Sequence, residues 1–216
     1  MPDRLAERLA EASRSASYPQ NVSAAPPIRL RDLAARYSPA QRRTIDAALQ
    51  LFADHGVGGT SLQMIADEIG VTKAAVYHQY NTKDEIVLVT AEAELARLEA
   101  VIDAAETETS PERARDALVA GMVDLAVDRR RTTASMLADP VIVGFFADHE
   151  TFRTVMHRLR RVLLGDEAGP EGRVQLAMLI AATSGAVSQP FVAELDDDTL
   201  RAQLLRLARR FLGLPD

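Results

Sequence analysis

Cysteine is absent from the 216-residue chain, which excludes disulfides and thiolate metal sites. Glycine and proline are sparse, at eleven and ten, and aromatic residues make up only 5%, a poor composition for a turn-rich sheet protein. No apolar run reaches the about eighteen residues of a membrane span, and the N-terminus lacks the apolar core of a signal peptide. A cytoplasmic protein with no membrane contact is expected. Lysine is nearly missing too: Lys73 and Lys83 stand against twenty-three arginines. Ala, Leu and Val fill the remaining space, which suits an all-α fold, and 216 residues suffice for one or two domains with a sizeable core.

The net charge of −6 is unfavourable for gripping phosphates, but it is unevenly placed. Residues 1–90 hold ten Lys+Arg against ten Asp+Glu, while residues 91–216 hold fifteen against twenty-one. The acid belongs to the C-terminal part, and both lysines lie in the neutral part.

Residues 1–37 read as a flexible extension: Leu5, Leu9 and Ala12 allow a few helical turns, then a Ser-, Ala- and Pro-rich stretch has no period. Its arginines, such as Arg29 and Arg31, are those of a minor-groove arm or of a solvated tail. From Ser38 the helical signals become regular. Ser38-Pro39-Ala40-Gln41 is a capping box with proline at the first helical position. Ile45, Ala48, Leu49 and Phe52 form the stripe of the helix that follows, and His55-Gly56 is its expected end. Thr60-Ser61-Leu62-Gln63, Thr72 and Thr82-Lys83-Asp84-Glu85 are expected to open three more helices.

The stretch from Thr60 to Lys83 is the most informative. Leu62, Ile65, Ala66 and Ile69 form one apolar stripe, Gly70 allows the left-handed turn that stops the helix, and Thr72 restarts it. Ala75 and Val76 then face inward, which leaves Lys73, Ala74, Tyr77 and His78 outward. A small polar surface of that kind fits a major groove. A merely structural hairpin gives no reason to expose Tyr77 beside His78 and Lys73.

Beyond Lys83 a helix over about Ile86 to Ala105 carries apolar residues on more than one face. Further helices are expected over about Pro111 to Arg129, around Ala134 to Ala138, through VIVGFFADHETFRTVMHRLRRVLLG, over about Arg173 to Ala193 and over about Asp198 to Leu212. Gly169 to Gly172 is a break.

In this order of parts, residues 38–84 resemble the DNA-binding domain of the tetracycline-repressor (TetR) family of bacterial regulators. The carrying residues are Phe52-Ala53-Asp54-His55-Gly56, Thr60-Ser61-Leu62, Ile65-Ala66, Gly70-Val71-Thr72-Lys73 and Tyr77-His78-Gln79-Tyr80 with Lys83. The family often has Gly where Ala74 stands and Phe where Tyr80 stands, and its minimal domain has no counterpart of the N-terminal extension. The resemblance implies a three-helix helix-turn-helix domain over 38–84, joined by a long helix to a ligand-binding and dimerisation domain over 85–216. It implies phosphate contacts from Thr60, Ser61, Tyr77 and Lys83 and base contacts from Thr72, Lys73 and Ala74. His78 is either a packing residue or a phosphate donor.

Other clusters carry less. Asp196-Asp197-Asp198 reads as a solvated cap before the last helix, and His149 and His157 lie at the wrong spacing for zinc. Phe145, Phe146, Phe152 and Met156 are core by default and pocket walls by the sharper reading, with His149 or His157 holding a polar group of a ligand. No nucleophile elbow, phosphate loop or pair of catalytic carboxylates is present, and no cofactor is implied. The expected protein is a homodimeric repressor of an operator in double-stranded DNA, released by a hydrophobic small-molecule effector. The competing expectation is a helical-bundle carrier or enzyme whose hairpin is only structural. For the dimer, Ala181, Ala182, Gly185 and Ala186 are expected to allow close helix approach, and Leu204, Leu205, Ala208 and Leu212 to supply an apolar face.

Overall fold

The computed structural model describes residues 37–130, 132, 150–165 and 169–214. All regular structure among them is helical: α1 Pro39–Gly59, α2 Leu62–Glu68, α3 Lys73–Gln79, α4 Lys83–Glu106, α5 Pro111–Asp128, α6 Glu150–Leu164, α7 Pro170–Ala186, a 3-10 turn Pro190–Val192 and α8 Asp197–Leu212. The expected extension before Tyr37 and the expected short helix around Ala134 lie outside the described residues.

Local chemistry explains the boundaries. The Ser38 hydroxyl accepts from the Gln41 N–H while the Gln41 side chain accepts from the Ser38 N–H, a complete capping box. Gly56 does not end α1: it kinks the helix at φ 72°, and one more turn runs to Gly59. Thr60 is not the cap of α2. That role falls to Ser61, whose hydroxyl accepts from the Met64 N–H at 3.2 Å. At the end of α2, Gly70 sits at φ 69° and donates to Asp67 O, while Val71 donates to Ala66 O. Those two bonds close a Schellman turn that a Cβ would strain. Helix α7 stops at Ala186, short of the expected Ala193, because Pro190 lies where the next turn would need its N–H.

Three apolar clusters hold the chain. The first joins α1, α2, α3 and the start of α4 around Phe52, Ile65, Val76 and Ile86, each fully buried, and reaches from Tyr37 to Ala96. The second begins at Leu95 and gathers the rest of α4 with α5 to α8 around Ile102, Leu118 and Leu159. A third, smaller cluster packs Val123, Ala126 and Val127 of α5 against Val187 and Leu200. Helix α4 belongs to both large clusters; at 1.5 Å per residue it is a rod of about 36 Å linking the two halves. Against α5 it packs so closely that a Cβ on Gly121 would stand 2.5 Å from Val101 Cγ1.

Ion pairs fasten the C-terminal half. Arg158 of α6 reaches three carboxylates of α4, Glu99 at 3.1 Å, Asp103 at 2.5 Å and Glu106 at 2.6 Å, and Arg161 adds a second contact to Glu106. Arg209 of α8 pairs with Asp116 of α5, and Arg201 with Asp124 and Asp128. Asp196 caps α8, and the bonds it accepts from Thr199 hold its carboxyl below the usual range. No helix among the described residues is long and apolar enough to cross a membrane.

Candidate nucleic-acid interface

Helix α3 divides cleanly into two faces. Val76 is fully buried against α1, α2 and α4, whereas Thr72, Lys73, Ala74, Tyr77 and His78 are exposed. Thr72 caps the helix, its hydroxyl accepting from the Ala75 N–H at 3.2 Å. Lys73 Nζ lies 5.6 Å from the centre of the Tyr77 ring, one turn further along, where a cation is attracted to the ring face. The pair forms a ridge with Ala74 as a small step beside it. His78 lies on this ridge rather than against α1. Ser61 is exposed at the start of α2.

Two expected phosphate contacts are turned inward. Thr60 is 2% exposed, and its hydroxyl donates to Leu51 O at 3.2 Å and Gly56 O at 2.9 Å. Lys83 Nζ donates to Val57 O at 2.9 Å and Thr60 O at 3.2 Å. Both side chains are thus taken up by backbone carbonyls in and just after the last turns of α1. Lys83 therefore fastens the start of α4 to the end of α1. Lys83→Met should cost about 1–3 kcal/mol of stability in urea unfolding, as for buried acceptors that lose their donor, and leave the salt dependence of DNA binding unchanged. A slope lowered by about one unit with stability intact would return Lys83 to the phosphates.

Two further contacts orient α3. Buried Thr44 of α1 donates to Gln79 Oε1 at 3.1 Å and so ties the C-terminal end of α3 to α1. Tyr80, the residue closing α3, is 4% exposed, and its buried hydroxyl has no hydrogen-bond partner. Burial, with the Glu92 carboxylate adding to it, pushes its phenol up to about 12. Tyr37 donates to that same carboxylate at 3.0 Å, which anchors the start of the described chain on α4. Neither pairing is visible in sequence, because the partners are 35 and 55 residues apart.

A family model described as bacterial regulatory proteins, tetR family, matches residues 45–90, a segment that contains the whole of this face. Over 95 residues the chain is 36% identical to the HTH-type transcriptional regulator SrpR of Pseudomonas putida, covering 44% of this chain and 43% of SrpR. It is also 36% identical over 95 residues to TtgW, an uncharacterized HTH-type transcriptional regulator of the same species, covering 44% of this chain and 68% of TtgW. The chain belongs to the TetR family. Its match thus spans less than half of SrpR and about two thirds of TtgW. The TetR fold extends beyond that segment. A tetR-family regulatory protein from Rhodococcus RHA1 superposes with a TM-score of 0.65 at 21% identity, covering 83% of this chain and all of that one. FadR from Bacillus subtilis, solved in complex with stearoyl-CoA, gives a TM-score of 0.58 at 14% identity over 77% of this chain and 96% of FadR.

The C-terminal candidates divide differently. Phe145, Phe146 and His149 lie outside the described residues. Phe152 and Met156 are half-buried on α6, packed against the second cluster, and His157 is exposed. On α8, Leu204, Leu205, Ala208 and Leu212 pack within the chain rather than forming an outward face. The helix instead exposes Leu207 and Phe211, and α7 exposes Val174 and Met178 beside Ala181 and Ala182. The shift follows from register: α8 turns its Leu204 side to α5 and so leaves Leu207 outside.

Proposed function

We propose that this TetR-family protein is a homodimeric transcriptional repressor that reads operator DNA with α3 and is released by an apolar effector. The observation that carries the reading is the outward face of α3, where Thr72, Lys73, Ala74, Tyr77 and His78 share one exposed surface while Val76 holds the helix to the core. Lys73 is assigned to guanine acceptors, the Ala74 methyl to a thymine methyl and Thr72 to a neighbouring base edge. Tyr77, His78 and Ser61 are assigned to phosphates, the last at the start of α2, where free N–H groups favour anions. One such face reads only a few base pairs, so two copies with recognition helices about 34–36 Å apart are needed for specificity. The exposed apolar residues of α7 and α8 supply a surface for pairing them in a four-helix arrangement.

Release requires an effector that favours a different spacing. Helix α4 is packed into both halves, so a displacement of its C-terminal part is transmitted to α1 to α3. To empty an operator that is nearly full, the effector must prefer the released state by about 5.5 kcal/mol. Burial of an apolar ligand in one state is a sufficient source. The second cluster, with Phe152 and Met156 at its edge, offers apolar walls, and FadR of the same fold holds stearoyl-CoA.

Base readout is tested with Lys73→Ala on a panel of operator variants. The expected result is a loss of about 1–3 kcal/mol on the preferred operator, with the ranking of variants at one position flattened. An unchanged ranking would remove Lys73 from base readout. Binding with no salt dependence, or none to any duplex, would remove the whole reading.

A further inference from the structure

Helix α3 is only seven residues long, and Val76 is its one buried residue, followed by the buried Tyr80 that closes it. Apolar packing is not directional, so these two side chains hold the helix on the core with little control over its rotation about its own axis. That rotation matters for reading bases. Side-chain tips stand about 5–6 Å from a helix axis, so a rotation of about 20° carries the tip of Lys73 roughly 2 Å sideways. Such a displacement breaks a hydrogen bond made at about 2.9 Å.

A directional contact supplies that control. Thr44 of α1 is 0% exposed, and its hydroxyl stands 3.1 Å from Gln79 Oε1 on α3 and 3.2 Å from Ala40 O in its own helix. One hydroxyl carries one proton, so the two acceptors compete for it. The Gln79 amide is itself set in place, its Nε2 donating back to Ala75 O at 3.4 Å, and the residue is half-buried at the edge of solvent. When α3 turns away, Thr44 falls back on Ala40 O and the Gln79 amide on water, and no buried group is left without a partner. The bond therefore adds little to stability while selecting one rotation of α3 among several.

We propose that Thr44 is a positioning residue for base readout, holding Gln79 so that Lys73 and Ala74 meet base edges in the one rotation that their contacts accept. This rests on the reading of α3 as the DNA-contacting helix and adds to it a residue that is itself sealed from DNA. Sequence-independent binding goes through phosphates and tolerates other rotations. The bond should therefore act on the difference between specific and non-specific affinity, by sparing the specific complex the cost of ordering α3.

The test uses full-length protein and a duplex that the wild type enriches from a randomised pool, with a scrambled duplex of equal length as reference. Thr44→Val matches the side chain in shape and removes the hydroxyl. It should lower the ratio of enriched to scrambled affinity about tenfold, roughly what one hydrogen bond is worth, with scrambled affinity, its salt slope and urea stability near wild type. Thr44→Ser keeps the hydroxyl but loses a buried methyl, so it should unfold more easily and yet retain the wild-type ratio. A purely structural role predicts the reverse, a ratio that follows stability. Gln79→Leu, which leaves Thr44 bonded to Ala40 O, should match Thr44→Val and decides the outcome if that variant does not fold. A wild-type ratio in Thr44→Val or in Gln79→Leu, or a ratio lost in Thr44→Ser, would overturn the assignment. Failure of the wild type to enrich any duplex would overturn it together with base readout by α3.

Discussion

If the proposed dimer pairs through α7, Gly185→Leu should give monomers in size-exclusion chromatography with light scattering, and weaken operator binding by at least about 100-fold through loss of the second half-site. The substitution is informative because a Cβ at Gly185 meets nothing within 4 Å inside the chain. Leucine also favours a helix over glycine by up to about 1 kcal/mol, so the protomer itself should be no less stable. In the proposed dimer, what leucine obstructs is the second copy. The small surface of α7 around Ala181, Ala182 and Gly185 permits backbones to approach closely, and four added carbons on each protomer prevent it. Leu207→Glu on α8 provides an independent disruption of the same face by placing a charge in an apolar contact. If both variants remain dimers with wild-type operator affinity, the interface lies elsewhere.

The second large effect is expected at Arg158. Its side chain is 20% exposed, and its guanidinium grips three carboxylates of α4, one of them, Glu99, 4% exposed at the side chain. Removing one partner of a buried ion pair is far more harmful than replacing the pair, because the carboxylates stay behind without that cation. Arg158→Met should cost about 3 kcal/mol in urea unfolding at neutral pH, near the lower end of the range for buried pairs since the cluster is partly open to solvent. The pH dependence is a second readout. The hydrogen bond from Arg158 is the main cause that holds the Glu106 carboxyl below its ordinary value, with Arg161 adding to it, while the guanidinium of Arg158 is shifted upward by the same contact. A carboxyl lowered in the folded state contributes stability above the unfolded carboxylate value of about 4.3, and that contribution is lost as pH falls toward the lowered folded value. Wild-type stability should therefore fall on acidification below pH of about 4.5, and Arg158→Met should flatten that fall. A loss under about 1 kcal/mol with an unchanged acid limb would show that the cluster is only a surface network. The cluster matters for function because it fixes the C-terminal part of α4 to α6. The same helix carries Lys83 and Ile86 into the first unit, so its placement sets that of α3.

Local signals in the sequence were sufficient wherever the physics is local. Capping by Ser38, Thr72 and Thr82, the left-handed turn at Gly70 and the inward and outward division of α3 depend on residues within four positions of one another. The family was legible for the same reason, since its motif lies in one continuous stretch. Tertiary structure decided the rest. Thr60 and Lys83 looked like phosphate contacts because both stand near helix starts, yet in the assembled α1 and α4 both donate to carbonyls at the end of α1. Leu204, Leu205, Ala208 and Leu212 looked like a dimer face because a helical stripe shows which residues are buried without showing against what. The rotation of α8 against α5, set by Arg201 and Arg209 reaching acids more than 70 residues away, assigns that stripe to the core and leaves Leu207 and Phe211 outside.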